Sequence, residues 1–329
     1  MAHITGDGSA LGIALNAVTA GEGWDGTPGT YDVIRVDEGG LSWDDKVGKK
    51  AAAIMRVNPA KYINGGRSVP WNIDAPMSYS LLEKLVYAML GANTTTGASA
   101  PYSHAMTPAD GLIFMSLKGW YFDPTKQANQ ICSTTLKNAV PDTLTISVKH
   151  GEEVRVKASG MCASATESEI EAAMPSISEH EFILHEHLKA TVDGKTTIDL
   201  SEAEVSIEAG IEDGNYKLGS PEILRITRGG SRLVKWGFTQ LEKRGDALLA
   251  SMTTDFTGTN SFVFNNGLLG AAERELSIVL GASTVMGAPV DGRFSWSIAT
   301  RKFSLEAYDA SSPRIIAVTF KNAVATPIS

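Results

Sequence analysis

Leu144, Ile146 and Val148 are apolar, and Thr145 and Ser147 between them are polar. After a turn at His150-Gly151 the alternation resumes at Val154 and Val156. A period of two places every apolar side chain on one face of an extended strand, so this stretch reads as a hairpin with one buried face. The pattern recurs along the chain. Residues 223–227 and 232–238 flank Arg228-Gly229-Gly230-Ser231 and read as a second hairpin. Further strands are expected at 112–117, 181–188, 204–209, 261–264, 275–280, 294–298, 302–308 and 315–320. The 32 glycines and 13 prolines among 329 residues supply turns, and 43% apolar residues supply a core. The expected fold class is mainly β.

Helix signals are few. Ser80-x-x-Glu83 has the form of a capping box, followed by an apolar face of Leu81, Leu82, Leu85, Val86, Met89 and Leu90 and a stop at Gly91. Thr239-x-x-Glu242 is a second box, ahead of Leu248, Leu249 and Met252. Residues 167–174 form a third candidate, ended by Pro175.

The two halves carry a similar order of residues. Leu41-Ser42-Trp43-Asp44 and Val47 match Val205-Ser206-Ile207-Glu208 and Ile211 at an offset of 164. Ile34 and Val36 match Ile198 and Leu200, and Gly65-Gly66 matches Gly229-Gly230, at that offset. Val69-Pro70-Trp71 has its counterpart in Val234-Lys235-Trp236, with one residue inserted. A duplicated unit is expected, residues 1–165 and 166–329, each a small β-sandwich with a helix on its side.

Charge is unevenly spread. The net charge is −8, yet the window 167–213 holds 13 acids against Lys189 and Lys195 alone. The rest of the chain is slightly basic, with Lys46, Lys49, Lys50, Arg56, Lys61 and Arg67 around one expected hairpin and Arg225, Arg228, Arg232 and Lys235 on the other. An acidic protein is poorly suited to gripping phosphates.

Chemical motifs fail one by one. Gly21-Glu22-Gly23-Trp24-Asp25-Gly26 fits G-x-G-x-x-G, but Thr27-Pro28-Gly29 follows as a turn where a nucleotide site needs a helix. His185 and His187 would share one face of a strand near His180, without a third ligand at suitable spacing. Gly48-Lys49-Lys50 lacks the rest of a phosphate loop, and no G-x-S-x-G occurs. No acid and base can be paired, so no catalysis, cofactor or metal is expected. Cys132 and Cys162 are expected as reduced thiols. No apolar stretch is long enough to span a bilayer. The 11–18 run, interrupted by Asn16 and preceded by Asp7, makes a poor secretory signal.

The order of these features resembles the bacteriophage tail tube (major tail) proteins. The resemblance rests on Leu11-Gly12-Ile13-Ala14-Leu15 running into the Gly-rich 21–29, and on the acidic turn into a strand at 37–43. It rests also on the long hairpin ending near Arg67, the helix from Ser80 to Leu90, and Tyr102-Ser103-His104-Ala105-Met106-Thr107-Pro108. In the second half Val192-Asp193-Gly194-Lys195 and the 204–236 hairpin look like the same family. The resemblance implies β-sandwich units whose sheets join edge to edge into rings, with rings stacked into a tube through which double-stranded DNA passes without specific binding. It implies a virion tail protein assembled in the bacterial host cytoplasm, with tape measure, tail terminator and tail tip proteins as partners.

Strand spacing constrains such a ring. If each half supplies four lumen strands about 4.8 Å apart, six halves give a circumference of roughly 115 Å and a backbone diameter near 37 Å. Duplex DNA, about 20 Å across, passes once side chains are subtracted, whereas three halves leave roughly 8 Å. Three chains suffice if both halves are tube units; otherwise six are needed. Asp37, Glu38, Asp44, Asp45, Glu202, Glu204 and Glu208 are the candidates for an acidic lumen or ring junction. Arg56, Lys61, Arg67, Arg225, Arg228, Arg232 and Lys235 are the candidates for contacts between rings or subunits. Two alternatives stay open: another β-sandwich virion component, such as a neck, tail-completion or head decoration protein, and a carbohydrate-binding or adhesin-like module.

Overall fold

The structure, a computed structural model, describes residues 2–3, 9–17, 27–36, 40–43, 46–51, 62–122, 131–177, 181–196, 199–216, 223–228, 232–243, 256–286, 290–293, 298–308 and 315–325. The chain opens with β1 (Ala2–His3), β2 (Ser9–Ala17), β3 (Thr27–Pro28) and β4 (Asp32–Val36). Then β5 (Gly40–Trp43) and β6 (Lys46–Ala51) both pair with the long β7 (Tyr62–Pro76). Helix α1 (Tyr79–Leu90) leads into β8 (Gly91–Thr96), β9 (Tyr102–Pro108), β10 (Met115–Phe122), β11 (Ile131–Lys149), β12 (Arg155–Cys162) and β13 (Ser164–Glu171). A 3-10 turn at His185–His187 precedes β14 (Leu188–Thr191), β15 (Leu200–Glu208), β16 (Ile211–Tyr216), β17 (Ile223–Arg228) and β18 (Leu233–Lys243). Last come β19 (Asn260–Asn265), β20 (Glu275–Leu280), β21 (Ser283–Val285), β22 (Val290–Arg293), β23 (Ile298–Ala307) and β24 (Ile316–Asn322). The fold is mainly β, as the period-two pattern requires.

The large sheet runs β1-β5-β7-β12-β11-β15-β18-β23-β21, with β22 also on β23. A second sheet runs β14-β19-β20-β24-β9-β8. The order β5-β7-β12-β11 is followed in series by β15-β18-β23-β21, so in each half the hairpin comes first and the two later strands follow in reverse order. Each half also sends one hairpin, β8–β9 or β19–β20, to the second sheet.

The core lies where the sheets and α1 meet. Trp236, Phe238 and Phe303 of the large sheet pack with Phe256 and with Phe262 of the second sheet. Phe238 stacks on Phe303 at 4.9 Å, and Phe262 meets Trp236 edge-on at 5.7 Å, the geometries that ring quadrupoles favour. The Trp236 indole N–H donates to Ser283 Oγ at 2.8 Å, so burial leaves no polar atom of that ring unsatisfied.

Strand β11 is 19 residues long and belongs to two layers. Its first part pairs with β10 and β13, and β10 continues the ribbon to β2 and β4. Its second part pairs with β12 and β15. Register breaks at Pro141/Thr143, and Asn138 adopts a left-handed φ of 54°, which lets the strand turn between layers.

Several local expectations are corrected. Helix α1 is capped by Ser78, whose side chain accepts from Leu81 N, and Ser80 lies inside the helix. Gly91 stops it as expected, at φ 92°. Thr239 and Glu242 lie within β18, paired with Lys302 and Ala299 of β23. The alternation of Val234, Trp236, Phe238 and Gln240, all buried, runs straight through the box, and two flanking strands outweigh one cap. Leu248, Leu249 and Met252 lie outside the described residues. Residues 164–171 form β13 instead of a helix, because the free side of β11 offers a full ladder.

The expected 223–238 hairpin is not one. β17 pairs with β16, and β18 pairs with β15 and β23, so the chain does not reverse after Arg228. Ile211 faces Arg228 and Glu208 faces Leu233, which makes 200–243 a single long hairpin. Of the expected 181–188 strand, Phe182 and Leu184 form isolated bridges with Ser78 and Glu153, residues 185–187 form the 3-10 turn, and Leu188 begins β14. The 112–117 strand begins at Met115, and residues 294–297 lie outside the described set. Cys132 and Cys162 are both buried.

Candidate self-assembly surfaces

Alternation gives the large sheet one apolar face and one exposed face. Val156 and Ala158, Leu144 and Ile146, Val205 and Ile207, and Phe303 and Leu305 point into the core. Their neighbours point the other way. That outer face carries Glu202, Glu204 and Glu208 from β15, with Asp74 and Glu306. It also carries Lys149, Arg155, Lys157, Lys235 and Lys302, cations that match those acids one for one. Among the described side chains this face is therefore balanced, although its β15 strip is acidic.

Cross-strand pairs organise the balance. Lys235 Nζ lies 3.0 Å from Glu208 Oε1, so one residue of each expected set meets the other within a single chain. Both are about half exposed, which limits such a pair to ~0.2–1 kcal/mol. Arg155 Nε donates to Asp74 Oδ1 at 2.6 Å, and Lys157 approaches the same carboxylate at 3.6 Å. Between the charged rows runs a trough of about 320 Å³, floored by Ser147, Gly237 and Ser304. Gly237 contributes to it by carrying no side chain between Glu204 on one flanking strand and Ser304 on the other.

Among the described residues the strand order of the sheet ends at β1 on one side and at β21 and β22 on the other. Among these residues β5 pairs on its outer side with β1, Ala2 opposite Trp43 and His3 opposite Ser42. On the other side the short β21 and β22 flank β23. Unpaired edge strands are templates for further pairing. The seam between the halves shows what such pairing looks like. β11 and β15 pair from Thr143–Glu208 to Lys149–Glu202, with Thr145 Oγ1 and Ser206 Oγ 3.0 Å apart.

The remaining sequence candidates separate. Arg232 Nη2 donates to the carbonyls of Leu90 and Ala109, which places its charge at the C-terminus of α1, where the helix dipole is negative. Arg67 lies in β7 opposite Val47, Arg225 in β17 opposite Asn215, and Arg228 opposite Ile211. Arg56, Lys61, Asp37, Glu38, Asp44 and Asp45 lie outside the described residues. Lys149, Arg155, Lys157 and Lys302 were not among the candidates; the period-two alternation of their strands was the signal that put them beside the acids.

The histidine expectation changes as well. His185 and His187 sit on the 3-10 turn, not on a strand face. His185 meets His150 edge-on at 5.0 Å, and His187 Nδ1 lies 3.2 Å from the Tyr79 hydroxyl. No group of three His, Cys, Asp or Glu is arranged to hold a metal among the described residues. Glu171 accepts from Lys118 Nζ at 2.7 Å and from Ser133 Oγ at 2.7 Å, and these bonds hold its carboxyl below the ordinary carboxylate range. Among the described residues, no helix is long and apolar enough to cross a membrane.

No protein-family model matches the chain, and no curated protein is significantly similar to it.

Proposed function

We propose that the chain is a structural subunit that assembles through its sheet edges into rings, and through stacked rings into a tube that conducts double-stranded DNA. The reading is the one the tail tube resemblance implies, a virion tail component without catalytic chemistry. The observation that carries it is the serial order β5-β7-β12-β11-β15-β18-β23-β21, four strands from each half in one sheet. This order is also the support for an internal duplication. Eight strand positions in each of three chains give a closed barrel of roughly 115 Å circumference, about 37 Å across between backbones. The β11–β15 seam would then be repeated between chains by the β1–β5 and β21–β22 edges. In this reading the exposed face lines the lumen. Its balanced charge and small polar side chains give phosphates no concentrated positive surface to bind.

Electron microscopy and light scattering of the purified protein test the proposal. Rings or tubes with a mass of three chains per ring are expected. A persistent monomer over a wide range of concentration and salt would falsify it.

A further inference from the structure

Sheet order makes β5 and β15 counterparts. Each opens its half of the large sheet, and each pairs on one side with a later strand of that half, β5 with β7 and β15 with β18. The residue match at an offset of 164 joins the same two strands, Leu41-Ser42-Trp43 to Val205-Ser206-Ile207. Their other sides differ. β15 carries β11, antiparallel, over seven residue pairs from Thr143–Glu208 to Lys149–Glu202. β5 carries β1, also antiparallel, over the two pairs Ala2–Trp43 and His3–Ser42.

At the offset of 164, Trp43 and Ser42 fall on Ile207 and Ser206, whose partners in the seam are Leu144 and Thr145. Matching through the neighbouring strand moves the register by two residues: Trp43 faces Trp71, and Trp236, the counterpart of Trp71, faces Val205. Val205 lies opposite Ile146, still inside the β11 ladder. By either match β1 lies on β5 in the place, and in the direction, that β11 takes on β15. A ladder gains hydrogen bonds and cross-strand side-chain pairs with length, so two residues hold an edge far more weakly than seven.

The strand that stands to the second half as β11 stands to the first is β21. Each is the last of its half in the sheet order, β11 beside β12 and β21 beside β23. β22 continues that rim along β23, so the paired positions run from Ser283–Ala307 to Arg293–Ala299. A rim of this kind pairs with any open edge it meets unless that edge is covered.

We propose that β1 is an autoinhibitory cap: it holds the edge of β5 in the single chain, and the β21–β22 rim of a second copy displaces it when chains join. The inference rests on the self-assembly reading and deepens it by naming what regulates the junction. It also agrees with the strand count, because the order β5-β7-β12-β11-β15-β18-β23-β21 fills the barrel without β1.

The test uses the full chain. His3→Cys with Ser42→Cys puts two thiols on directly opposed residues, within the reach of a disulfide. Cys132 and Cys162 are buried, and the two single variants give the background. In dilute protein the bond should form within one chain. The oxidised protein should then need about tenfold more protein, or higher, to form rings by light scattering, and reductant should restore wild-type assembly. Conversely, Ala2→Pro with His3→Pro deletes both backbone donors of β1 and leaves β5 and β7 unchanged. It should lower the concentration at which rings form about fivefold to tenfold. Oxidised protein that assembles as readily as reduced, or a disulfide that never forms within one chain, would overturn the cap and leave ring formation standing. A proline variant that assembles less well than wild type would make β1 part of the junction, and so overturn the cap as well. Wild-type and reduced protein that both remain single chains would overturn the assembly reading and the cap with it.

Discussion

Asn16 and Asn138 lie 122 residues apart and meet in a 2.7 Å hydrogen bond, Asn16 Nδ2 donating to Asn138 Oδ1. Ser116 Oγ donates to Asn16 Oδ1 at 2.8 Å, and all three residues are buried. The bond fixes the point where β11 passes from the ribbon to the large sheet, and Asn is the side chain that best tolerates the left-handed backbone there. Asn138→Ala removes the acceptor and keeps the strain, so a loss of about 2–3 kcal/mol is expected. Asn138→Gly relieves the strain and should cost about 1 kcal/mol less. Urea unfolding measures both; equal losses would show that backbone conformation plays no part.

A buried polar network ties the second sheet to α1. Asn322 Nδ2 donates to Glu83 Oε2 at 2.6 Å. His104 Nε2 must donate to the Val324 carbonyl at 2.9 Å, and its Nδ1 lies 2.9 Å from Thr95 Oγ1. Asn322→Leu strips a buried carboxylate of this donor and should cost about 2–4 kcal/mol. Combined with Glu83→Met it should cost less than the two separate losses added together. Strict additivity in a double-mutant cycle would refute the coupling.

Gly160 is required by close approach. A Cβ there would collide with the Val140 carbonyl and meet the Trp71 ring at 2.8 Å. Gly160→Ala should therefore lower stability by about 1–3 kcal/mol or more, although alanine ordinarily favours folding over glycine. An unchanged thermal midpoint would mean that β12 can shift away from β11 at no cost.

The Lys118–Glu171 pair gives a pH signature. The carboxyl pKa is lowered in the folded chain, first by the bond from Lys118 and then by Ser133. A group lowered in this way stabilises the fold above its unfolded value, and that contribution disappears as pH falls through the folded value. Stability lost below about pH 4 should include this term, and Lys118→Met should reduce it. Carbon-detected NMR titration of Glu171 reads the midpoint directly. A midpoint in the variant as low as in the wild type would assign the shift to Ser133 alone.

Where one strand was edged by water on one face, the residue pattern sufficed. The 144–156 hairpin reads directly from Leu144, Ile146, Val154 and Val156 because only one face of it is buried. The same holds for 275–280, where Leu276, Ile278 and Leu280 are buried. Local signals failed where long-range pairing decided the outcome. Thr239 and Glu242 form a sound helix start in isolation, but Thr239 is paired with Glu202 and Lys302 and Glu242 with Ala299, on strands distant in sequence. Glu83 looks like a capping residue, yet its carboxylate is drawn to Asn322, 239 residues on. The acidic strip on β15 was visible in the composition of 167–213. The alternation of their own strands put its cationic neighbours on an exposed face, but the sheet order is what brings those strands beside β15.

The ladders of the large sheet are coupled in series, so a sideways pull on the sheet passes through every one of them. The interior ladders are long, as in the run from Lys235–Glu306 to Lys243–Ile298 between β18 and β23. Among the described residues the outermost are shorter, two residues on β1, and three on β21 with four on β22. An isolated chain should therefore fray from its two rims inward, while a neighbour on each rim would turn the weakest rungs into interior ones. Mechanical strength would then be a property of the closed circle and not of the single chain.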